Sequence, residues 1–341
     1  MLFMNQDLFN KLLIFRMSGI GPVKYRELIE GYGGAETAVE ELRLTGDLLD
    51  SVRREIDLAE KLGIEYIDED SEMFPAAYKN AKNHSPIISV RGNLKTLGKK
   101  AVAMVGTRHA TAAGMAFMSN LAREFASRGY AVVSGMAMGT DAAAHRGALA
   151  ADGDSLTLAG VAGGADYIWP PENENLYHEI VERGAVISDM PVGFVPARNN
   201  FIVRNRMVAG LADMLILGEA DEKSGSVATA KFILELSRPL WAVPSHPSDE
   251  RSAGPNGFIK RGEAKLCNGA SDFFETPAEK DATERSKDAS ASLLDFIGNV
   301  PVSENVLTGL AKKHISEIAA ELVRLELAGE VKKVDGGFVR A

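Results

Sequence analysis

Short apolar runs alternate with segments of helical periodicity from residue 100 to residue 245, and this alternation narrows the possible folds more than any other feature of the chain. The runs are AVAMVG, AVVSG, SLTLAG, AVISD, MLILGEA and LWAVP. Strands that are apolar on both faces and separated by helices are typical of a parallel sheet with helices on both sides. The pattern therefore predicts a Rossmann-like domain, built on a doubly wound, mostly parallel α/β sheet.

The chain of 341 residues is long enough for two or three domains. Residues 1–72 show short amphipathic segments broken by glycine and predict a small all-helical module, SAM-like or helix-hairpin-helix-like. We assign residues 73–275 to the Rossmann-like domain, and residues 276–292, which are charged and lack apolar periodicity, to a linker. Residues 293–341 contain helical segments followed by two short strands around a glycine turn, which predicts a winged-helix-like domain.

Each end domain leaves two roles open. The N-terminal glycine turn SGIGP can offer backbone N–H groups to a phosphate, or it can serve packing and partner docking, and the acidic balance of the module favours the second role. In the last domain the predicted helix 315–327 carries Glu317, Glu321 and Glu326 against Arg324. Because duplex readout places such a helix in the major groove, these acids favour protein interaction over duplex binding.

The amino-acid composition indicates which cellular compartment the protein occupies and which cysteine-based sites it lacks. Cys267 is the single cysteine, so an intrachain disulfide and a cysteine-rich zinc site are excluded, and a reducing compartment is expected. The N-terminus lacks the features of a secretory signal, and no apolar stretch reaches the roughly 18 residues of a membrane span. We expect a cytoplasmic protein that makes no membrane contact.

Positive charge is concentrated in two segments of an acidic chain. The formal net charge of −9 argues by itself against binding nucleic acid through diffuse electrostatics. However, residues 73–123 contain eight lysines and arginines and no acid, and residues 190–212 contain Arg198, Arg204 and Arg206 and no acid. These bases either cluster by chance on a solvated face or contact phosphate, and the motifs in the same segments favour phosphate.

Glycine-rich turns follow the first two predicted strands. In an open α/β sheet such turns lie beyond the carboxyl ends of the strands, where backbone N–H groups and helix N-termini meet an anion. The candidates for phosphate contact are Gly106, Thr107 and Arg108 in the first turn, and Gly135 and Gly139 in the second. The Arg108 guanidinium can hold a phosphate through two parallel hydrogen bonds. The alternative is a plain strand-to-helix turn in which Thr111 caps the helix.

Two further segments supply candidates. Tyr167 and Trp169 can stack on an exposed base or pack in the interior. Ser224, Gly225 and Ser226 precede a predicted helix, where the same groups can cap the helix or bind an anion.

Metal and enzyme signatures are weak. Asp141 and His145 lie one helical turn apart, but no third ligand accompanies them, so capping of the helix by Asp141 and packing are favoured over a metal site. The sequence contains no GxxxxGKS/T, GxGxxG or GxSxG pattern, which removes the main support for an ATPase, a typical dinucleotide-binding protein or an α/β-hydrolase. We predict no catalytic residue, no metal and no other cofactor.

Taken in order, these motifs resemble those of the DNA-processing protein A (DprA/Smf) family. The matching strings are VGTR, SGMAMGTDAAAHRGAL, YIWPPEN, NNFIVRNRMVAGLAD, EA, SGSVATA and AVPS within residues 102–245, followed by SAGPNGFIKRGEAKL up to residue 266. The helical N-terminal module and the winged-helix-like C-terminus fit the larger members of that family.

The resemblance implies a non-enzymatic protein that binds and protects single-stranded DNA, loads the RecA recombinase onto it during natural transformation, and forms a homodimer through the Rossmann-like domain. It also implies which residues contact phosphate. The family's Gly-Ser-Arg turn matches Gly106, Thr107 and Arg108, its Arg-Asn-Arg run matches Arg204, Asn205 and Arg206, and its Ser-Gly-Ser turn matches Ser224, Gly225 and Ser226. Tyr167 stands where members often carry a basic residue, so stacking is expected to replace one phosphate contact.

Two other functions compete with DNA binding. A nucleotide-binding enzyme related to the lysine-decarboxylase-like nucleotide hydrolases would use a GGxGT turn with a downstream glutamate; the turn is absent, and Glu219 is the one candidate acid close to a phosphate turn. A sensor of free nucleotide is the second alternative. Release of base from AMP would favour the enzyme, and mononucleotide binding without strand-length dependence would favour the sensor.

Overall fold

The computed structural model describes residues 5–154, 156–274, 293–298, 301–311, 313–334 and 336–341. The chain forms two compact units, Met1–Phe274 and Glu275–Ala341. The predicted linker 276–292 lies outside the described residues. Within the described ranges no helix is both long and apolar enough to cross a membrane.

The first unit begins with four helices, whose ends follow local capping rules. They are α1 (Gln6–Phe15), α2 (Pro22–Tyr32), α3 (Ala35–Glu41) and α4 (Asp47–Leu62). The Asn5 side chain accepts a hydrogen bond from the N–H of Leu8 and so starts α1. Gly33, in the left-handed conformation at φ 74°, ends α2.

A nine-stranded sheet forms the centre of this unit. Its strands are β1 (Ile64–Asp68), β2 (Ile87–Gly92), β3 (Ala101–Val105), β4 (Ala131–Ser134), β5 (Thr157–Gly160), β6 (Ala185–Ser188), β7 (Met214–Leu217), β8 (Leu240–Ala242) and β9 (Lys265–Leu266). The spatial order is β1-β2-β6-β5-β4-β3-β7-β8-β9. Strands from β6 to β9 in this order pair in parallel, and β1 and β2 add an antiparallel edge.

Helices cover both faces of the sheet, which confirms the predicted doubly wound α/β fold. They are α5 (Ala76–Lys79), α6 (Ala112–Ser127), α7 (Thr140–Leu149), α8 (Glu174–Arg183), α9 (Arg198–Gly210), α10 (Gly225–Glu235) and α11 (Ala253–Lys260). The consecutive β3 residues Val102 and Ala103 belong to opposite apolar clusters, and neither is exposed. Val102 packs with Phe125 of α6, and Ala103 belongs to the cluster of Val208 in α9 and Ile233 in α10. Because successive strand side chains point to opposite faces, both faces must be apolar, as the sequence shows.

The order of the strands reverses direction between β3 and β7. From β3 the chain adds β4, β5 and β6 on one side, and it then returns to place β7, β8 and β9 on the other side of β3. Ligands of open α/β sheets bind where such a reversal separates the loops at the carboxyl ends of the strands. The loops after β3 and β7 are therefore the expected location of a site.

The helical module packs directly against the sheet. Leu12 of α1 and Ala59 of α4 share an apolar cluster with Ala165 and Val192 of the sheet loops. The predicted module boundary at residue 72 stays a prediction, but the first sheet strand, β1, lies before it, so residues 1–72 are not all-helical as predicted.

The second unit is a winged helix. After a short 3₁₀ turn (Leu293–Phe296) come α12 (Glu304–Ala311), α13 (Ile315–Leu327) and the antiparallel hairpin of β10 (Val331–Val334) and β11 (Gly337–Arg340). Val302 forms an additional antiparallel bridge with Phe338. Leu307, Ile318 and Leu322 form its core with Phe338. On α13, Glu317 and Glu326 are exposed, as the charge pattern predicts.

Candidate functional site

Three loops meet at the carboxyl edge of the sheet: residues 106–111 after β3, 135–139 after β4 and 218–224 after β7. The N–H of Thr107 donates to the carbonyl of Glu219 at 2.6 Å, which joins the first loop to the third. The N–H of Thr140 donates to the carbonyl of Thr107 at 3.2 Å, which joins the first loop to the second. The sequence-predicted turns therefore form one continuous surface at the point where the strand order reverses.

Glycines allow this close approach. A Cβ at Gly106 would lie 2.5 Å from the Oγ1 of Thr140, and a Cβ at Gly139 would lie 2.5 Å from the carbonyl oxygen of Thr107. Gly139 also has φ 73°, a conformation that L side chains rarely adopt. Both glycines are needed by the packing of the two loops on each other.

Arg108 is exposed at the tip of the first loop, over an aromatic surface. Its Cζ lies 4.9 Å from the centroid of the Trp169 ring, a cation–π distance. On Trp169 a second ring, Phe201 of α9, packs edge-on at 4.6 Å between centroids. A cation that can grip phosphate and a ring that can stack on a base thus adjoin at the same edge of the sheet.

A small pocket lies beside these rings. Tyr167, Trp169 and Phe201 form its aromatic walls, and Gly135 and Arg204 line it as well. Its volume of about 10 Å³ is close to the minimum for one water molecule. Tyr167 and Trp169 are both half-buried, so a base can reach only the outer faces of these rings unless the rings move.

Arg204 points inward from α9 and is only 6% exposed. Its Nη1 donates to the carbonyls of Gly135 and, at 2.9 Å, of Gly160, while its Nε has no hydrogen-bond partner within the described residues. Burial lowers the pKa of Arg204, and the Asp141 carboxylate opposes this shift. The arginine therefore ties the ends of β4 and β5 together beneath the pocket, and its contact with a bound phosphate stays a prediction.

Asp141 is buried, its charge influences that of Arg204, and it does not cap α7. The N-cap of α7 is Gly139, so the prediction that Asp141 caps the helix is wrong. Its carboxylate instead accepts hydrogen bonds from the N–H groups of Gly135 (3.2 Å) and Ala137 (3.4 Å) and thereby fixes the second loop. Burial raises the pKa of Asp141, and Arg204 opposes this shift.

His145 is a neutral core residue. Its Nδ1 lies 2.7 Å from the Oγ1 of Thr157, and this hydroxyl donates to the carbonyl of Val132, so Nδ1 carries the proton. Burial lowers the pKa of His145 to about 3. Among the described residues no group of three potential metal ligands exists.

The remaining candidates lie around the start of α10. The Ser224 hydroxyl accepts from the N–H of Val227 at 3.3 Å and caps α10, and Ser226 is 3.1 Å from it. Asn205 of α9 donates to the carbonyl of Gly225 at 3.2 Å. The structure thus joins the Arg-Asn-Arg run to the Ser-Gly-Ser turn, and anion binding at this turn stays a prediction.

The three arginines of α9 do not converge. Arg198 is exposed in the first helical turn, whereas Arg206 is exposed beside α10, with its Cζ 4.9 Å from the ring centroid of Phe232. Since consecutive residues of a helix point in directions 100° apart, Arg204 and Arg206 cannot face the same ligand side. In the sequence the three arginines form one basic segment, but on the helix they point in different directions.

Two residues of this edge were missed by reasoning from the sequence. Phe201 lies three positions before Arg204 on α9, the spacing of neighbours on one helical face, and this spacing was an available signal. Arg251, after β8, donates from Nη1 to the carbonyl of His109 at 3.2 Å. No local pattern links residues 142 positions apart, so this second contact had no signal in the sequence.

Comparison with known proteins gives the family. The family described as DNA recombination-mediator protein A matches residues 65–277, and the DprA winged helix domain matches residues 276–337. The chain is 33% identical over 219 residues to the DNA processing protein DprA of Bacillus subtilis, covering 64% of this chain and 73% of that protein. It is 30% identical over 289 residues to the protein Smf of Escherichia coli, covering 80% and 76%. The chain spans 61% of the length of two Mycobacterium tuberculosis relatives with 35% identity.

Two solved structures share the fold. DprA from Streptococcus pneumoniae has a TM-score of 0.63 at 26% identity, covering 80% of this chain and 94% of that chain. A DprA structure from Helicobacter pylori, whose subject is its binding mode for single-stranded DNA, has a TM-score of 0.56 at 29% identity, covering 63% and 97%. With the winged helix, the reversal of strand order and the loops at its carboxyl edge, these matches show that the chain belongs to the DNA recombination-mediator protein A (DprA/Smf) family.

Proposed function

We propose that this protein binds single-stranded DNA at the carboxyl edge of the sheet and acts in DNA processing and recombination. The single observation that carries the proposal is the Arg108 guanidinium, exposed and stacked over Trp169 where the loops after β3, β4 and β7 meet. Single-strand binders combine cations that follow the phosphates with rings on which bases stack. Here Arg108 supplies the cation and Trp169 the ring, and the two side chains are in contact.

The relatives support this proposal. The matching family is described as a recombination mediator, and the Helicobacter pylori relative binds single-stranded DNA. The net charge of −9 does not oppose it, because the acid-free segments 73–123 and 190–212 supply both Arg108 and the start of α9.

One contact speaks against the nucleotide-hydrolase alternative. The carboxylate of Glu219 accepts hydrogen bonds from the N–H of Thr111 at 2.7 Å and from its hydroxyl at 2.5 Å. A carboxylate engaged in this way is not presented to a substrate as a general acid or base. We therefore favour a non-enzymatic role, without a cofactor.

The test is the salt dependence of binding to fluorescent oligo-dT by the wild type and by Arg108→Ala. Loss of one phosphate contact is expected to weaken binding and to reduce the slope of log K against log salt by about 0.7. Arg123→Ala is the matched control, since Arg123 is an exposed arginine of α6 and its loss changes the net charge equally. Equal salt slopes for Arg108→Ala and Arg123→Ala would remove Arg108 from the site.

Two finer proposals rest on the family resemblance: loading of RecA onto single-stranded DNA and homodimer formation through the Rossmann-like domain. A third, a cytoplasmic location, rests on the single cysteine, Cys267. Sedimentation equilibrium should give twice the 36.6 kDa mass of the chain. RecA should bind DNA faster in the presence of the protein than in its absence. A monomer, or an unchanged RecA binding rate, would contradict the respective proposal.

A further inference from the structure

A single residue, Glu219, holds both ends of the loop that carries Arg108. Its backbone carbonyl accepts from the N–H of Thr107 at 2.6 Å. Its carboxylate accepts from the N–H and the hydroxyl of Thr111, at 2.7 and 2.5 Å. Residues 107 and 111 bracket Arg108, so the position of the loop depends on the end of β7.

The carboxylate also fills the N-terminus of α6. The Thr111 hydroxyl that donates to Glu219 accepts from the N–H of Gly114 at 2.9 Å and so caps the helix. A Cβ at Gly114 would lie 2.7 Å from the Cδ of Glu219, so the absence of a side chain at this position makes room for the carboxylate. An anion at a helix N-terminus is stabilised by the exposed N–H groups and by the helix dipole. The Glu219 carboxylate thus occupies the anion position at this helix N-terminus. Arg108 is the exposed cation of the loop that can bind an anion from outside the protein, such as a phosphate.

A second residue, Arg251, holds the middle of the loop. Arg251 donates to the carbonyl of His109, and its own carbonyl accepts from the N–H of Ala220, the residue after Glu219, at 2.7 Å. The Asp249 carboxylate orients this arginine through contacts of 2.9 and 2.7 Å. Glu219 therefore fixes the two ends of the loop. Arg251, which is hydrogen-bonded to the neighbouring Ala220, fixes its centre.

We propose that Glu219 is a positioning residue, which holds the 107–111 loop so that the Arg108 guanidinium stands over Trp169 and can meet a DNA phosphate. This inference rests on the proposed function and deepens it. It predicts an effect opposite in sign to simple electrostatics: removal of an acid near a DNA site strengthens phosphate binding by charge alone, whereas loss of a positioning residue weakens it.

The experiment is a double-mutant cycle on oligo-dT binding with Arg108→Ala, Glu219→Ala and the double variant. Glu219→Ala should lower affinity by about tenfold and reduce the salt slope as Arg108→Ala does. In the Arg108→Ala background the same substitution should change affinity by less than about twofold, because the two residues act as one unit.

Glu222→Ala is the matched control. It removes an exposed acid three residues farther along the same loop, with the same change in net charge. Its affinity should equal that of the wild type or exceed it slightly. Should Glu219→Ala fail to fold by circular dichroism, the isosteric Glu219→Gln, which retains one acceptor for the Thr111 N–H, should show a smaller loss in the same direction.

The outcomes separate the two proposals. If Arg108→Ala weakens binding while Glu219→Ala and Glu219→Gln bind as tightly as the wild type or tighter, the positioning role is refuted and the DNA site stands. An equal loss from Glu219→Ala in both backgrounds refutes it too, since Glu219 would then act independently of Arg108. If Arg108→Ala itself has no effect, the proposed function fails first.

Discussion

At the scale of single residues, the buried charges of Arg204 and Asp141 influence each other beneath the site. Both side chains are buried, and burial shifts the pKa of each toward its neutral form while the partner opposes that shift. A buried charge that loses its partner is costly, and the carbonyls of Gly135 and Gly160 would also lose their donor. The geometry of the second loop thus depends on a residue that does not reach the surface.

Arg204→Ala should lower the free energy of unfolding by roughly 2–5 kcal/mol, because it leaves the buried carbonyls of Gly135 and Gly160 without a donor and removes the charge that favours ionised Asp141. Arg206→Ala, two positions along the same helix, removes the same charge from an exposed contact with Phe232 and should cost less than about 1 kcal/mol. Urea unfolding of both variants measures the difference. Similar costs would show that the burial of Arg204 does not decide its contribution.

Gly139→Ala should destabilise the protein more than the backbone strain of a positive φ alone explains. The control is Gly129→Ala, where φ is 85° but no atom lies within 4 Å of the added Cβ. The control should cost roughly 1–2 kcal/mol through backbone strain, and Gly139→Ala should cost more and also weaken oligo-dT binding. Thermal unfolding and binding isotherms of the two variants test this, and equal effects would contradict it.

Contacts between elements decide how the helical module meets the sheet. Lys11 of α1 bonds to Asp68 and Asp70 at 2.8 and 2.7 Å. Arg16, the C-cap residue of α1, bonds to the buried Glu55 of α4, which also accepts from the Tyr66 hydroxyl of β1 at 2.6 Å. These bonds supplement the apolar cluster and restrict the orientation of the module, since each has directional geometry.

A third cluster makes this attachment sensitive to pH. Burial would raise the pKa of Glu69, but hydrogen bonds from His84 and from Arg26 of α2 lower it to about 2. A carboxyl group with a lowered folded-state pKa stabilises the fold above its ordinary pKa of 4.5, and this stabilisation is lost as the pH falls toward 2.

Wild type should therefore exceed Glu69→Gln in unfolding free energy at pH 6, and the difference should shrink as the pH falls below about 4. Glu60→Gln, an exposed acid of α4, should show no comparable pH-dependent difference. Urea unfolding at several pH values measures both. A difference that is constant with pH would show that the charge of Glu69 does not contribute.

At the scale of the whole molecule, the two units have separate cores. The apolar cluster of Leu293, Leu307, Ile318 and Leu322 contains described residues of the second unit alone, and the clusters of the sheet contain described residues of the first unit alone. Independent cores are a property of domains that fold on their own.

A chain that ends at residue 274 should accordingly fold with an unchanged unfolding midpoint and keep the salt-dependent oligo-dT affinity within about threefold, since every candidate phosphate contact lies in the first unit. Circular dichroism and binding isotherms check this. Loss of cooperative unfolding, or of DNA binding, would contradict this prediction.

The sequence by itself determined the architecture and pointed to the loops of the candidate site. Apolar runs predicted strands that are buried on both faces, and glycine turns predicted the loops between strands and helices. Both signals depend on only a few adjacent residues. Thus the parallel sheet, the winged helix and the presence of a helix after Ser224 were predictable, although that helix begins at Gly225 and therefore includes two residues that were placed before it. The family resemblance depended on the same local strings.

Only the tertiary structure decided what each side chain does at that edge. It turned Arg204 inward to the ends of β4 and β5, assigned Asp141 to the second loop instead of the helix, and placed the carboxylate of Glu219 on Thr111, 108 residues earlier in the chain. Glu219 and Thr111 are neighbours because strand order reverses at β3 and so pairs β7 with β3, and strand order is a nonlocal property of the sheet. Local patterns specify which residues form a loop, but the pairing of distant strands decides which loops face each other.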